Sequence, residues 1–297
     1  MPTRSRAQSF AVVFAAYTAA LAGAALAGWG AAGRAPLFTL AVADVAATCV
    51  VWAFSTATRN SSLYDPYWSV APPFLALFWI LHPDAQAVGP RQALLFALIV
   101  VWAIRLTNNW RRGWPGLHHE DWRYAERRAD HGALYPLEDL LGIHLLPTAL
   151  VFLGCLPLVP ALFAGARPLG ILDALGLAVA VGGLVLETVA DEQLRRFVRA
   201  GRPGESLARG VWAWSRHPNY FGQLAFWWGL WGVGLAADPA AAWWTLAGPA
   251  AMTALFVFVS VPLMERRNLA RRADYARVME GVPRLVPRPP RRRRADA

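Results

Sequence analysis

The chain has 297 residues, of which 56% are hydrophobic and 16% are charged, and it contains 15 tryptophans. This composition points to the membrane class of proteins. The net charge of +10 is poor support for a nucleic-acid-binding protein, because the mean hydropathy is +0.33 and no nucleic-acid-binding motif accompanies the charge.

Eight apolar segments are candidates for transmembrane helices, which need about 20 residues each. They lie at roughly 10–30, 37–57, 66–82, 91–107, 140–163, 169–190, 220–236 and 240–263. The third and seventh are short, and the fifth contains Pro147, Pro157 and Pro160, so seven spans are an alternative. We therefore expect an all-α, polytopic membrane helix bundle of about seven or eight transmembrane helices.

All 29 basic residues are arginine, and their positions predict the orientation of the chain. Counting Arg105 with the loop beside it, 26 of them lie at the N-terminus, near 58–65, in 105–138 and 191–219, and after 263. Only Arg34, Arg91 and Arg167 lie in the loops between these regions. Because the two sets alternate across eight helices, the positive-inside rule places both termini in the cytoplasm.

The remaining organisation of the chain is simple. Residues 1–290 are predicted to form one transmembrane domain, and the arginine-rich residues 291–297 are predicted to be a disordered tail. The two cysteines lie in apolar segments and indicate neither a disulfide framework nor a metal cluster. The run of histidines and acids at 118–121 has poor chelate spacing, so no metal site is predicted.

The stretch "SSLYDPYWSVAPP", residues 61–73, contains the first polar cluster, at the predicted cytoplasmic start of the third helix. Asp65, Tyr64 and Tyr67 are its members. The alternative interpretation is a turn beginning at Asp-Pro with aromatic residues at the membrane interface. Asp44, in the second helix, is an intramembrane carboxylate to which the sequence assigns no role.

The stretch "ETVADEQLRRFVR", residues 187–199, contains the second cluster. Glu187, Asp191, Arg195 and Arg199 are spaced four apart, so they share one face of a helix. One interpretation is a ladder of exposed ion pairs, which adds little stability. The other is that arginines in a row with a carboxylate bind a cofactor that carries phosphates and a ribose.

The stretch "SRHPNYFGQLAFWWG", residues 215–229, contains the third cluster. Pro218 fits the first turn of a helix, and His217 before it is biased to an extended conformation. Arg216, Asn219 and Tyr220 would then surround a helix N-terminus, which attracts anions. The alternative is a helix cap with interfacial anchors.

Taken with their order along the chain, these motifs resemble those of a known group of membrane enzymes. "ADEQLRRFVR", "RPGE", "WAWSRHPNYFGQLAFWWGLW" and "PLMERR…DYARV…VPRLVP" are similar to the C-terminal half of the steroid 5-alpha reductase-like superfamily. "SLYDPYWSVAPP" and "WAIRLTNNW…EDWRY" resemble its bacterial branch, so the resemblance covers roughly residues 40–290. It implies a multi-pass protein of the bacterial inner (cytoplasmic) membrane that binds NADPH from the cytoplasmic side.

The resemblance also implies which residues bind the cofactor. Asp191, Arg195 and Asn219 match cofactor-binding positions of the superfamily, and Arg199 is one residue out of phase with another. The residues of the later motifs that it assigns to the same site are Arg216, His217, Tyr220, Glu265 and Tyr275.

The chain departs from the superfamily pattern at two places. Gln223 stands where a glutamate is usual. The carbonyl-binding residues of true 5-alpha reductases have no clear counterparts, although Asp65 with Tyr64 or Tyr67 occupies a comparable place.

The first hypothesis from the resemblance is an NADPH-dependent reductase of a conjugated C=C bond in a hydrophobic steroid, isoprenoid or other lipid. In it Asp65, if protonated, or Tyr67 acts as the catalytic acid.

Two alternatives stay open from the sequence. Isoprenylcysteine carboxyl methyltransferases and related lipid methyltransferases carry a similar Arg-His-Pro-x-Tyr and bind S-adenosylmethionine there. Their paired glutamates near the end of the last helix are replaced here by "MERR". The second alternative is a non-enzymatic, lipid-binding membrane scaffold. The sequence identifies neither the oligomeric state nor any partner other than membrane lipid and a hydrophobic substrate.

Overall fold

A computed structural model of the chain describes residues 5–201 and 204–289, so the predicted tail at 291–297 lies outside the described residues. These residues form α-helices, short 3₁₀- and π-helical segments and loops, with no strand among them. The α-helices are α1 (Arg6–Gly30), α2 (Pro36–Thr58), α3 (Tyr67–Leu81), α4 (Gly89–Gly113), α5 (Trp122–His131), α6 (Tyr135–Glu138), α7 (Leu146–Gly154), α8 (Ile171–Arg199), α9 (Pro218–Ala237), α10 (Ala242–Thr245), α11 (Ala247–Ala254), α12 (Val261–Arg271) and α13 (Tyr275–Gly281).

Six helical stretches of the described chain are long and apolar enough to cross a membrane. They are Arg6–Gly30, Pro36–Thr58, Gly89–Gly113, Trp122–Gly154, Ile171–Arg199 and Pro239–Arg271. Each corresponds to one of the eight segments predicted from the sequence. The other two predicted segments are the short ones, which form α3 with 15 residues and α9 with 20. The polytopic helical membrane bundle is confirmed.

The fifth predicted span is interrupted where its prolines lie. A π-helical segment, Asp139–Leu145, leads into α7, and Pro147 is an early residue of that helix. Pro157 lies in the turn after α7, and Pro160 is the second residue of another π-helical segment, Val159–Ala164. Proline lacks the N–H that continues a helical ladder, so it is accommodated at these starts and breaks.

The chain divides into two compact units. Unit 1 comprises Met1–Ala85 and Phe96–Cys155, and unit 2 comprises Gln86–Leu95 and Leu156–Ala297. The prediction of one domain over residues 1–290 stays a prediction.

Unit 1 is built on the antiparallel neighbours α1 and α2, with α3 and the π-helical segment before α7 packed on α2. Small side chains let the helices approach, and two tyrosines complete the buried cluster that they enclose. Its members are Ala20, Ala47, Val51, Tyr64, Tyr67 and Ala71. Aromatic rings with hydroxyl groups therefore lie in the core of this unit, where each hydroxyl needs a hydrogen-bond partner.

Unit 2 is centred on the pair α8 and α9, which make the most extensive helix contact among the described elements. A Cβ atom at Gly183 would lie 2.5 Å from the carbonyl oxygen of Gly222, and one at Gly229 would lie 2.4 Å from the backbone nitrogen of Ala180. The two backbones are therefore in direct contact, as small residues allow in membrane helices. At the other end of α8, Arg91 and Asp173 form a buried ion pair with an Nε–Oδ1 distance of 2.7 Å.

Candidate functional site

The start of α9 carries the polar cluster that the sequence predicts. The helix begins at Pro218, as predicted, whereas His217 before it has φ −138° and ψ 58°, which lies outside the extended region that the sequence favours. The Ser215 hydroxyl accepts a hydrogen bond from the His217 amide at 3.0 Å and donates one to the Leu285 carbonyl at 2.7 Å. The sequence Ser-Arg-His-Pro thus forms a turn that is attached to the C-terminal segment of the described chain.

Arg216 is almost completely buried and points into unit 2. Its Nε donates to Glu265 Oε1 at 2.8 Å, and its Nη2 lies 2.7 Å from the same oxygen. Its Nη1 donates to the carbonyls of Met279 at 2.9 Å and Val282 at 2.7 Å. Charge and hydrogen-bonding capacity of this guanidinium are therefore largely satisfied by the protein itself.

Glu265 is the acidic centre of the cluster. Besides Arg216, it faces Arg284, whose Nε lies 3.4 Å from Oε2, and His217, whose Nε2 lies 3.6 Å from Oε1. The pKa of His217 is lowered to about 4, mainly by burial; the neighbouring Arg216 acts in the same direction, whereas Glu265 opposes the shift. His217 is therefore neutral at physiological pH, and the buried charges are one carboxylate and one guanidinium with Arg284 at the edge.

Aromatic rings complete this cluster. The His217 ring stacks on Tyr220 with centroids 5.4 Å apart and an interplanar angle of 7°, and Tyr220 contacts Phe256 at 4.9 Å. Tyr275 is buried, and burial raises the pKa of its hydroxyl. Asp274 beside it accepts two hydrogen bonds from Ser206, from the amide at 2.9 Å and from the hydroxyl at 2.5 Å.

A second group of predicted residues lies where α8 and α9 meet. The Asn219 side chain donates to Asp191 Oδ1 at 3.4 Å. Arg195, one turn further along α8, is partly buried and donates to Glu192 at 2.6 Å, whereas Arg199 is exposed. Glu192 thus lies between the predicted residues as a partner of Arg195, and Asn219 is a partner of Asp191.

Trp212 lies beside this second group. Its indole Nε1 donates to the carbonyl of Ala190 at 3.0 Å, directly before Asp191. Gly210, in the same loop, has a φ of +61°, and a Cβ there would lie 2.3 Å from Gln193 Oε1. The loop therefore needs glycine at this position to lie against α8. A tryptophan is thus fixed next to the predicted ribose-binding carboxylate.

The predicted catalytic residues belong to unit 1 and take separate partners. The Tyr67 hydroxyl donates to Asp44 Oδ1 at 2.7 Å, so the carboxylate without a role in the sequence is the partner of this tyrosine. Asp65 accepts a hydrogen bond from the Tyr124 hydroxyl at 2.6 Å. Burial raises the pKa of Asp65 to about 6, against the opposing effects of Arg123 and Tyr124.

The structure thus brings some predicted residues together and leaves others apart. Arg216, His217 and Glu265 share one buried cluster, with Tyr220 stacked against it. Asp191 and Asn219 form a separate pair, and Arg199 joins neither group among the described residues. The sequence analysis missed Ser215 and Arg284 as members of the cluster and did not assign Asp44 to Tyr67. Only Asp44 had a visible signal, because an ionisable side chain inside an apolar span is costly.

Comparisons with known proteins identify relatives but no activity. A family model described as "Protein of unknown function (DUF1295)" matches residues 51–280, a range that includes every predicted site residue. The chain is also similar to "Uncharacterized protein C594.04c" of Schizosaccharomyces pombe, with 26% identity over 262 residues that cover 80% of this chain and 76% of that protein. No solved structure matches the chain significantly.

Proposed function

The chain belongs to the DUF1295 family, and from that premise we propose that it is a membrane-bound reductase that uses NADPH to reduce a conjugated C=C bond in a hydrophobic steroid, isoprenoid or other lipid. The observation that carries the proposal is the pairing of Asp191 with Asn219 at the start of α9, one helical turn from Arg195. The resemblance to the steroid 5-alpha reductase-like superfamily supports it. The bacterial cytoplasmic membrane is the location that we propose with it.

The side chains at this place fit a dinucleotide. A carboxylate and an amide at 3.4 Å from each other provide the acceptors and donors that ribose hydroxyls require. Arg195 and Arg199 lie along the same helix and carry the positive charge that phosphates require. The first amides of α9 have no helical partner and add a partial positive charge. When bound, NADPH supplies the hydride of the reduction.

Arg216 has a different part in this proposal from the one expected from the sequence. Because its guanidinium donates to Glu265 and to two carbonyls, we assign it to positioning and not to direct phosphate contact. It fixes α12, α13 and the segment that follows α13 against the start of α9. His217, neutral and stacked on Tyr220, completes the wall of this part of the site.

Of the two predicted acids, we assign proton delivery to Tyr67. With a pKa of about 6, Asp65 is mostly ionised at pH 7 and is then a poor proton donor. The Tyr67 hydroxyl keeps its proton and is oriented by Asp44. Reduction adds one hydride and one proton across the C=C bond, and a positioned hydroxyl stabilises the negative charge that develops on a conjugated carbonyl oxygen.

The test is a titration of the purified protein in detergent with NADPH, followed by tryptophan fluorescence, to which Trp212 contributes beside Asp191. We expect saturable binding that weakens about tenfold or more in Arg195→Ala and in Asn219→Ala, because each loses a charged or polar contact. Arg196→Ala is the matched control, since Arg196 pairs with the same Glu192 but is exposed. Equal affinity in all three variants would contradict the assignment of the site.

A second candidate is an S-adenosylmethionine-dependent methyltransferase that acts on a lipid or isoprenyl group. The observation that favours it is the engagement of Arg216 within the protein, because this leaves fewer cations for phosphates, which S-adenosylmethionine lacks. The same titration with S-adenosylmethionine separates the two candidates. Binding of S-adenosylmethionine alone would replace the reductase proposal, and binding of neither compound would favour the lipid-binding scaffold.

A further inference from the structure

The last apolar stretch of the described chain, Pro239–Arg271, ends in a basic surface. Phe258 and Val259 are exposed apolar residues near its end, and Leu263 on α12 is exposed as well. Arg266 follows Leu263 by three positions and is also exposed, so the two side chains are neighbours on one face of α12. An apolar face of the stretch therefore continues directly into an arginine.

These arginines lie at the depth of lipid headgroups. With a rise of about 1.5 Å per residue, Arg266 lies about 4.5 Å and Arg271 about 12 Å beyond Leu263 along the helix axis. The polar layer on each side of a bilayer is roughly 5–8 Å thick, and a long arginine side chain can bend towards it. Leu269 is exposed between the two arginines, as expected for a helix at a membrane interface.

The positive charge of this surface is mostly uncompensated within the protein. Residues 264–288 contain seven arginines and three acids. Glu265 is paired with the buried Arg216, and Asp274 accepts two hydrogen bonds from the loop before α9, which leaves Glu280 as the exposed acid. Among the described residues, none of the following exposed arginines forms an ion pair: Arg266, Arg271, Arg277 and Arg288.

The segment after α13 extends the same surface to the start of α9. Trp214 and Val286 are exposed, and the Arg288 amide donates to the Trp214 carbonyl at 2.9 Å. Exposed tryptophan beside arginine is typical of residues at membrane interfaces. Because Arg216 joins the start of α9 to α12 through Glu265, the apolar and cationic side chains of both places belong to one surface of unit 2.

We propose that the exposed arginines of α12, α13 and the segment after α13 bind the headgroups of anionic phospholipids in the membrane that the chain spans. A guanidinium always carries its charge and donates several N–H groups in one plane, which suits the oxygens of a phosphate. Clusters of basic residues next to a membrane-spanning helix are attracted to anionic lipid. This surface does not depend on the reductase proposal.

The test compares the lipids that the protein retains. The full-length protein is reconstituted into vesicles of equal parts phosphatidylglycerol and phosphatidylcholine and purified in a mild detergent, and mass spectrometry quantifies the bound lipids. We expect the wild type to retain about tenfold more phosphatidylglycerol than phosphatidylcholine. The triple variant Arg266→Gln, Arg271→Gln and Arg277→Gln should retain both in nearly equal amounts. Raising sodium chloride from about 0.05 M to about 0.5 M should lower the wild-type excess, because salt screens exposed charges.

A second triple variant, Arg123→Gln, Arg127→Gln and Arg196→Gln, removes the same charge and is the matched control. These arginines are also exposed, but each has a carboxylate partner in the protein. We expect it to keep the wild-type excess. All three proteins keep residues 289–297, so the arginines of the predicted tail contribute equally to each.

Thermal unfolding in detergent gives an independent measurement, since a ligand of the folded protein raises its unfolding temperature. Added phosphatidylglycerol should stabilise the wild type and the control more than the first variant. A wild type without an excess of phosphatidylglycerol would contradict the proposal, and so would an unchanged excess in the first variant. An equal loss in both triple variants would show that net charge alone selects the lipid, and the proposed surface would be wrong.

Discussion

The Glu265 side chain joins three parts of unit 2. Arg216 before α9, His217 at its cap and Arg284 after α13 all face this carboxylate on α12. A buried ion pair contributes little to stability compared with apolar packing, but the loss of one partner leaves a costly buried charge. The formation of this cluster therefore depends on the single side chain of Glu265.

Glu265→Ala is expected to lower the free energy of unfolding by about 3 kcal/mol, because Arg216 is left buried without its counter-charge. Glu192→Ala is the control, since Glu192 pairs with Arg195 and Arg196 at a side-chain exposure of 39%. We expect the control to lose less than about 1 kcal/mol. Unfolding in detergent, followed by circular dichroism, measures both values, and equal losses would contradict the role of Glu265.

His217 is expected to make stability depend on pH. Its pKa of about 4 in the folded protein lies below its usual 6.5, so the unfolded chain takes up the proton first as the pH falls. The contribution of His217 is complete above pH 6.5, declines as the pH falls towards 4, and amounts to roughly 3 kcal/mol.

The check is the difference in unfolding free energy between the wild type and His217→Gln across this pH window. The wild type should lose stability relative to His217→Gln as the pH falls from 6.5 to 4. His118→Gln, which changes an exposed histidine of unit 1, should run parallel to the wild type. If the unfolding free energy of His217→Gln also varied with pH in parallel with that of the wild type, burial would not be keeping His217 neutral.

At this scale, the residue types of the site are predictable from sequence and their partners are not. Arg216 and Glu265 were both assigned to one site, but 49 positions separate them, and no local pattern states that they form an ion pair. The same holds for Tyr67 and Asp44, which lie on different helices. Such long-range pairs depend on how the helices pack against each other. The spacing of residues along one helix gives no information about that packing.

At the scale of elements, α8 and α9 position the predicted cofactor residues. On the facing sides of the two helices, Gly183 lies against Gly222, Ala180 against Gly229, and Gly176 against Gly232 and Val233, so the backbones are in direct contact. The start of α9 at Pro218 was predicted correctly because proline has a simple local preference for a first helical turn. The glycine contact was not predicted, because the spacing of small residues on one helix does not identify its partner.

Gly183→Ala and Gly222→Ala are expected to destabilise the protein by about 1–3 kcal/mol, because each new Cβ would meet backbone atoms within 2.6 Å. Gly182→Ala is the matched control on the same helix. No atom lies within 4 Å of a Cβ at that position, so helix propensity should leave it neutral or up to about 1 kcal/mol more stable.

Thermal unfolding of the three purified variants in detergent measures this difference. The NADPH titration adds a second readout, since Gly222 lies one turn from Asn219 and both overpacked variants should bind more weakly than Gly182→Ala. Loss of stability in Gly182→Ala alone, or in none of the three, would mean that the helices are not in backbone contact.

At the scale of the whole molecule, the membrane class was predictable from composition and from the length of the apolar segments, because segments of about 20 apolar residues are typical of transmembrane helices. The number of crossings is a harder prediction, since α3 and α9 are short or rich in aromatic and small residues. With eight crossings, the basic regions 105–138 and 191–219 lie in the cytoplasm. If only the six long stretches cross, both regions lie outside, against the positive-inside rule.

Two introduced cysteines distinguish these topologies. Asp84→Cys, between α3 and α4, and Ala200→Cys, after α8, change exposed residues. With a membrane-impermeant thiol reagent on intact cells, we expect labelling of Asp84→Cys and protection of Ala200→Cys. The reverse pattern would establish six crossings. The variants are made with Cys49→Ala and Cys155→Ala so that only the new thiols react.

The contact between α8 and α9 also has a mechanical consequence. Helices whose backbones touch have no space in which to slide, so the distance between Asp191 and Asn219 is set rigidly. The segment after α13 is held by hydrogen bonds to residues 214–216. Its backbone carbonyls at 282, 283 and 285 accept from Arg216 and Ser215, and the Arg288 amide donates to the carbonyl of Trp214. Hydrogen bonds of this kind exchange readily with water, whereas interlocked backbones do not. A ligand that enters at the start of α9 therefore meets a rigid α8–α9 contact on one side and the segment after α13 on the other. We expect any opening of the site to move that segment and not the two helices.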